Sequence, residues 1–182
     1  MMVNPVRFFL FIVILAFAAT FTSEVQALEL SSPAFRDGGT IPQEHVMTAI
    51  GGKNISPPLE WRNSPEKTES FALSIVDHAP VAKRWVHWLV INIPAATSSL
   101  EAGASGGSMP EGSLELRSSY GTIGYGGPQP PAGTGQHPYV ITLYALDARS
   151  IDLSQDANLS AFKETLEGHV LEKAEITGHY GR

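Results

Sequence analysis

Acidic and imidazole side chains occur within, directly after or shortly before three apolar segments of this 182-residue chain. His87 lies within WVHWLVINI, His137 ends a Gly- and Pro-rich segment, and Asp77 with His78 follows FALSIV. Imidazole donates or accepts hydrogen bonds and carboxylate accepts them, so these side chains suit either an anion site or a metal site. Three other histidines lack such a context and are expected on the surface or in packing: His45, His169 and His179.

The metal interpretation describes a hydrolytic centre with four ligands: Asp77, His78, His87 and His137. Neither H-x-H nor H-E-x-x-H spacing supports it, so no metal is expected. No G-x-S-x-G motif is present, no second carboxylate accompanies Asp77, and the chain has no cysteine. These absences favour a protein without cofactor or enzymatic activity, with a metal-dependent hydrolase as the alternative.

Composition restricts the classes of partner. The chain carries 12 Lys and Arg against 18 Asp and Glu, which gives a formal net charge of −6. A nucleic-acid binder needs a basic face to neutralise phosphates, and the sequence has no run of Lys or Arg. We expect an acidic protein of one domain without a nucleic-acid partner.

Residues 1–27 have the pattern of a secretory signal. Arg7 supplies a positive n-region, residues 8–19 (FFLFIVILAFAA) are apolar, and Val25-Gln26-Ala27 resembles a cleavage site. A membrane span needs roughly 20 apolar residues, which makes an uncleaved anchor the weaker alternative. We expect a domain of residues 28–182 that is periplasmic or secreted after cleavage near Ala27.

Three segments predict strands at the centre of a sheet: residues 71–76, 85–93 and 139–146. The second is apolar on both sides, and its alternation places His87 on the same side as Trp85, Leu89 and Ile91. Residues 28–31 and 170–177 are weaker strand candidates.

One segment, residues 157–167, predicts a helix that buries Leu159, Phe162 and Leu166, with Asp156 as its cap and Gly168 after its end. Several short strands with one late helix favour a mostly β fold, an antiparallel β-sandwich with one or two peripheral helices.

The segment 121–138 (GTIGYGGPQPPAGTGQHP) combines glycines with prolines, and this mixture is typical of a loop of defined shape. It lacks the G-x-x-x-x-G-K-[ST] motif, and its prolines prevent the helix that a nucleotide-binding turn opens. Its glycines can still direct backbone N–H groups at an anion. The loop either forms part of a site or only closes one end of the sandwich.

Five segments occur in a family order: GKNISPPLEW (52–61), VDHAP (76–80), VHWLVINIP (86–94), GYGGPQPPAGTGQHPYVITLYALD (124–147) and GHVLEKAEITGHYGR (168–182). Together they resemble the phosphatidylethanolamine-binding protein family, in particular its bacterial Raf kinase inhibitor-like branch. The resemblance implies a sandwich of two antiparallel sheets with a small pocket for a phosphate or similar anion at one end. It also implies a binding or inhibitory role.

The resemblance assigns residues to that pocket. His87 and His137 match the two pocket histidines of the family, and Tyr139 matches its tyrosine. Gly126 and Gly127 match the glycine wall. Imidazole, phenol and backbone N–H groups are all donors, so this set is suited to an anion.

Asp77 matches the first acid of the family motif D-P-D-A-P and is expected to orient a histidine. This chain has the shorter D-H-A-P, so His78 takes the place of the second acid and is an additional pocket candidate. The family turn also implies a cis Ala79–Pro80 peptide.

The expected ligand is a small anionic or phosphate-bearing molecule. Because imidazoles titrate near pH 6.5, affinity for an anion is expected to rise from about pH 8 to 6. An alternative is a protein target, a kinase or a protease, that the loops inhibit. Self-association into a homodimer is left open.

Overall fold

In the part of the chain that the structure describes, two β-sheets, one α-helix and long loops position the site. The computed structural model describes Met1 and residues 26–182. In chain order the elements are β1 (Glu29–Ser31), β2 (Gly39–Thr40), β3 (Leu59–Arg62), β4 (Ser70–Asp77), β5 (Val86–Pro94), β6 (Ser99–Leu100), β7 (Leu114–Glu115), β8 (His137–Leu146), α1 (Leu159–Leu166) and β9 (Val170–Tyr180). Short 3-10 turns occupy Gln43–His45, Thr48–Ile50 and Pro80–Ala82.

Most of the predicted signal segment, residues 2–25, lies outside the described residues. Among the residues that are described, none of the helices has the length and apolar character needed to span a membrane.

One sheet has three strands in the order β1-β3-β6, and the other has six in the order β2-β9-β8-β4-β5-β7. The central strands β8, β4 and β5 correspond to the three segments predicted to be central, except that β5 begins one residue later, at Val86. All pairs are antiparallel except β2 with β9, where Gly39 and Thr40 run parallel to Gly178 and His179. The predicted mostly β sandwich is confirmed, with one short parallel pair added at its edge.

The six-stranded sheet is covered on both faces. Towards the smaller sheet, Trp61, Phe71, Trp88 and Ile141 belong to one apolar cluster, in which Trp61 and Phe71 meet edge to face at 5.4 Å. On the other face, Leu89 and Ile91 pack with Phe162 of α1 in a second cluster. Burial on both faces explains why β4 and β5 are almost continuously apolar in sequence.

The helix is shorter than predicted, and a different residue caps it. Asn158 is the N-cap, and its side chain accepts a hydrogen bond from the Ala161 N–H at 3.0 Å. Asp156, the predicted cap, instead forms an ion pair with Arg117 at 2.7 Å. The predicted apolar side is confirmed, since Phe162 and Leu166 are buried.

A β-bulge redirects His87. Along the pair of β4 and β5, Ile75 is opposite Trp88 but Val76 is opposite Val86, so His87 is the extra residue. The bulge resets the side-chain alternation of β5. The prediction that His87 shares a side with Leu89 and Ile91 is therefore wrong, because those two residues face α1.

Candidate functional site

A cavity of about 280 Å³ lies where β4, β5 and β8 meet the Gly- and Pro-rich loop. It brings together Asp77, His87, His137 and Tyr139, four of the residues predicted from sequence. Eleven residues line it: Asp77, Val81, Ala82, Trp85, His87, Tyr120, Gln129, Pro130, Pro131, His137 and Tyr139. The predicted convergence of Asp77, His87 and His137 in one cleft is confirmed.

Asp77 orients His137. Its Oδ2 accepts a hydrogen bond from His137 Nδ1 at 2.6 Å, and both side chains are buried. The other oxygen, Oδ1, accepts from the backbone N–H of Ala79 at 2.8 Å. The Ala79–Pro80 peptide is trans, contrary to the prediction, and this short turn directs the carboxylate instead.

The far nitrogen of His137 is covered by Thr134. The Thr134 hydroxyl lies 2.8 Å from His137 Nε2 and 2.7 Å from the carbonyl oxygen of Pro131. The hydroxyl donates to Pro131 and occupies the position beside Nε2 that a ligand would take. A ligand that reaches His137 Nε2 would therefore exchange with Thr134.

His87 has a defined tautomer. Its Nδ1 lies 2.6 Å from the carbonyl oxygen of Gly126, which can only accept, so Nδ1 carries the hydrogen. Burial lowers the pKa of His87 to about 4, although the hydrogen bond to Gly126 acts in the opposite direction. The ring is therefore neutral at pH 6 to 8 and offers Nε2 as an acceptor. The ordinary imidazole pKa near 6.5, on which the expected pH dependence rests, does not apply to His87.

Tyr139 has a buried hydroxyl without a hydrogen-bond partner among the described residues. Its ring contacts His87 edge to face at 5.0 Å and stacks against His137 at 6.4 Å. Burial, and next the negative charge of Asp77, raise the pKa of Tyr139, so the phenol keeps its proton. An unsatisfied buried hydroxyl in a cavity wall is costly unless a ligand or water completes it.

Gly126 and Gly127 were expected to direct their backbone N–H groups at an anion, but both N–H groups are already hydrogen-bonded within the protein. Gly126 donates its N–H to the His87 carbonyl at 2.9 Å, and Gly127 donates to Asn54 Oδ1 at 2.7 Å. Neither N–H is available to an anion, and neither glycine lines the cavity. Both instead allow close packing, because a Cβ on Gly126 would collide with the Tyr120 ring and one on Gly127 with the backbone of His45.

His78, the additional pocket candidate, lies elsewhere. Adjacent residues of an extended segment point to opposite sides, so His78 faces away from Asp77. It lines a separate cleft, where its Nδ1 lies 3.1 Å from a guanidinium nitrogen of Arg84. The ring nitrogen accepts this hydrogen bond, because guanidinium only donates.

Several lining residues were not identified from sequence. Tyr120 connects two of the predicted ones, since its ring contacts Trp85 at 5.4 Å and His87 at 5.7 Å. Val81 and Trp85 form an exposed apolar rim. Trp85 lies two residues before His87, so the alternation of the strand could have indicated that both face the cavity. No local sequence pattern identifies Tyr120 or Gln129 as lining residues.

The metal alternative gains no support from the geometry. Within residues 26–182, no three His, Cys, Asp or Glu side chains are arranged to hold a metal ion. Asp77, one of the four proposed metal ligands, is already engaged, because both of its oxygens accept hydrogen bonds.

Comparison with known proteins agrees with this fold. The family model described as phosphatidylethanolamine-binding protein matches residues 31–181. The UPF0098 protein of Methanothermobacter thermautotrophicus is 40% identical over 156 residues, which cover 85% of this chain and 99% of that protein. The UPF0098 protein YbhB of Escherichia coli is 38% identical over 158 residues, covering 84% and 99%.

A solved structure extends the similarity to three dimensions. The crystal structure of E. coli YbcL, described as a new member of the mammalian PEBP family, superposes with a TM-score of 0.81 at 32% identity. The alignment covers 86% of this chain and 99% of that one. The fold and the cavity thus define a β-sandwich binding protein. The chain belongs to the phosphatidylethanolamine-binding protein family.

Proposed function

We propose that this protein binds a small anionic ligand with a phosphate group in the cavity and does not convert it. The observation that carries the proposal is the buried Tyr139 hydroxyl, which has no partner among the described residues. It lies between two histidines, one neutral and one paired with a carboxylate. A phosphate oxygen accepting from Tyr139 would remove the cost of this unsatisfied donor.

The state of His87 determines which form of phosphate fits best. Its unprotonated Nε2 accepts a hydrogen bond, and a phosphate monoester that retains one proton can supply it through P–OH. The second pKa of such a monoester lies near 6, so the monoprotonated form increases as pH falls from about 8 to 6. The expected rise in affinity over this range then comes from the ligand and not from His87.

The exposed apolar side chains at the cavity mouth suit either a ligand with a hydrocarbon part or a protein partner. Val81 is 54% exposed and Trp85 is 40% exposed, at the mouth of a cavity whose polar groups lie deeper. Exposed apolar side chains beside a polar site can cover a hydrocarbon part of the ligand. The same rim suits a regulatory contact with another protein, such as a kinase or protease, in which ligand and partner would compete.

Export is part of the proposal. The signal pattern ends at Ala27, and the backbone nitrogen of the next residue, Leu28, lies 3.0 Å from Glu172 Oε1. Cleavage after Ala27 would convert this N–H into an ammonium group beside a carboxylate. The Leu28 side chain is buried in the core, which supports a mature domain that includes this residue.

Two tyrosine variants test the ligand proposal. Tyr139→Phe removes a hydroxyl that has no partner, so it should leave the free energy of unfolding unchanged or raise it. It should weaken binding of phosphorylethanolamine, measured by calorimetry, by about 1 kcal/mol or more. Tyr125→Phe is the matched control, because its hydroxyl donates to the His45 carbonyl at 2.8 Å. This variant should lose about 1 kcal/mol of stability and keep its affinity.

Equal affinity of the wild type and Tyr139→Phe would contradict the proposed binding mode. Inorganic phosphate in a parallel titration separates recognition of the phosphate from recognition of the head group. Release of phosphate from an added phosphoester, lost in the His87→Ala, His137→Ala double variant, would establish an enzyme instead.

A further inference from the structure

A second cleft, of about 250 Å³, lies on the face of the six-stranded sheet that carries α1. No residue lines both this cleft and the cavity. The two sites are back to back at the end of β4, because Asp77 faces the cavity while Ser74, Val76 and His78 face the cleft.

The floor of the cleft is a row of polar residues across three adjacent strands, β4, β8 and β9. Ser74 of β4 pairs with Thr142 of β8, which pairs with Glu175 of β9. Ser74 and Thr142 are 2% and 5% exposed, so their positions are fixed by the sheet. Thr142 Oγ1 donates to Glu175 at 3.0 Å, and the Ser74 hydroxyl lies beside this pair on the neighbouring strand.

Basic side chains from three different elements surround this floor. Arg84 comes from the turn before β5, Lys163 from α1 and Lys173 from β9. Arg84 follows Lys83 in a left-handed backbone conformation, with φ of 50° at Lys83 and 64° at Arg84. Non-glycine residues rarely adopt this conformation, and here it directs Arg84 towards His78, to which its guanidinium donates at 3.1 Å.

The positive charges of Arg84, Lys163 and Lys173 repel one another, and nearby negative charge compensates them only in part. Burial, and next the charges of Arg84 and Lys173, lower the pKa of Lys163. Among the described residues, Glu175 is the one carboxylate that lines the cleft. It already accepts from Thr142 and lies 3.4 Å from Lys173 Nζ. Three cations against one carboxylate leave an excess of positive charge, in a chain whose net charge is −6.

We propose that this cleft binds a second phosphate group, separate from the cavity ligand. Arg84 and the two lysines would neutralise its charge, and the Ser74 hydroxyl would donate to one of its oxygens. Arg and Lys bind phosphate through charge-assisted hydrogen bonds, and side chains fixed on strands and a helix make a preorganised site. The phosphate can belong to a soluble monoester or to a lipid head group, since both present anionic phosphate oxygens.

Histidine ring resonances in long-range 1H–15N NMR spectra distinguish the two sites. Inorganic phosphate should shift the ring nitrogens of His78 in the cleft with a saturating dependence on concentration. The double variant Lys163→Gln, Lys173→Gln should weaken this response by about tenfold, because two cations are lost. The control Lys53→Gln, Lys67→Gln removes the same charge from exposed positions that do not line the cleft, and should leave the response unchanged.

The cavity is read separately through His87 and His137, so failure of one site does not imply failure of the other. Absence of a His78 response, or equal weakening in both double variants, would overturn the proposal. Sedimentation with phosphatidylcholine vesicles containing phosphatidylglycerol identifies the source of the phosphate. Co-sedimentation lost only in the Lys163→Gln, Lys173→Gln variant assigns the site to a lipid. A His78 response to glycerol phosphate without co-sedimentation assigns it to a soluble monoester.

Discussion

Acidification should destabilise this protein through His87. The pKa of His87 is lowered to about 4 by burial in the folded protein, against about 6.5 for an unfolded chain. Between these two values the unfolded state binds more protons than the folded state. The free energy of unfolding therefore falls as pH decreases through 6.5, and this loss is nearly complete below pH 4.

The magnitude follows from the two pKa values. Between pH 7 and 5.5, protonation of the unfolded state alone costs about 1 kcal/mol of stability. By pH 4 the difference between the two states reaches about 3 kcal/mol. The carboxylates titrate over part of the same range, so the contribution of His87 must be isolated by comparison.

His87→Gln provides that comparison, because a glutamine amide can donate to the Gly126 carbonyl as Nδ1 does but does not titrate. Urea unfolding of both proteins at pH 7, 5.5 and 4 gives the difference in free energy of unfolding at each pH. The wild type should lose about 3 kcal/mol more than the variant between pH 7 and 4. Parallel pH dependences in the two proteins would refute the assignment of a neutral, buried His87.

Two further predictions concern the loop and the start of the domain. In Gly127→Ala the added Cβ would collide with the His45 carbonyl and lie 2.9 Å from the Met47 nitrogen. Urea unfolding should give a loss of about 1–3 kcal/mol, and an unchanged stability would contradict the packing role. In a chain that begins at Leu28, Glu172→Gln should lower stability by about 1 kcal/mol when the α-amino group is charged. The same substitution should have a smaller effect above pH 9, and thermal unfolding at the two pH values compares them.

The central strands and the convergence of Asp77, His87 and His137 could be predicted from sequence, because apolar runs that are buried on both faces are distinctive. The direction of His87 could not. A one-residue bulge reverses the alternation of β5, and it results from pairing with β4 rather than from any local signal. The helix cap differs for a similar reason, since Arg117, which is distant in sequence, binds Asp156.

Adjacent residues of a strand point to opposite faces, so the sequence alone could have shown that His78 does not share the cavity with Asp77. The hydrogen bonds of the Gly126 and Gly127 N–H groups could not be predicted from the sequence. Their acceptors, the His87 carbonyl and the Asn54 side chain, lie in other parts of the chain. The unpartnered hydroxyl of Tyr139 likewise appears only after the fold has brought two histidines beside it.

The most direct test of the cavity as a phosphate site is the long-range 1H–15N NMR spectrum of the histidine rings during titration with phosphorylethanolamine. Before addition, His87 should show the tautomer that is protonated at Nδ1. The ligand should then shift Nε2 of His87 and the ring of His137, with one saturation curve for both, while His169 and His179 stay unchanged. Ring resonances of His87 and His137 that do not move at a ligand concentration that saturates calorimetric binding would contradict the account.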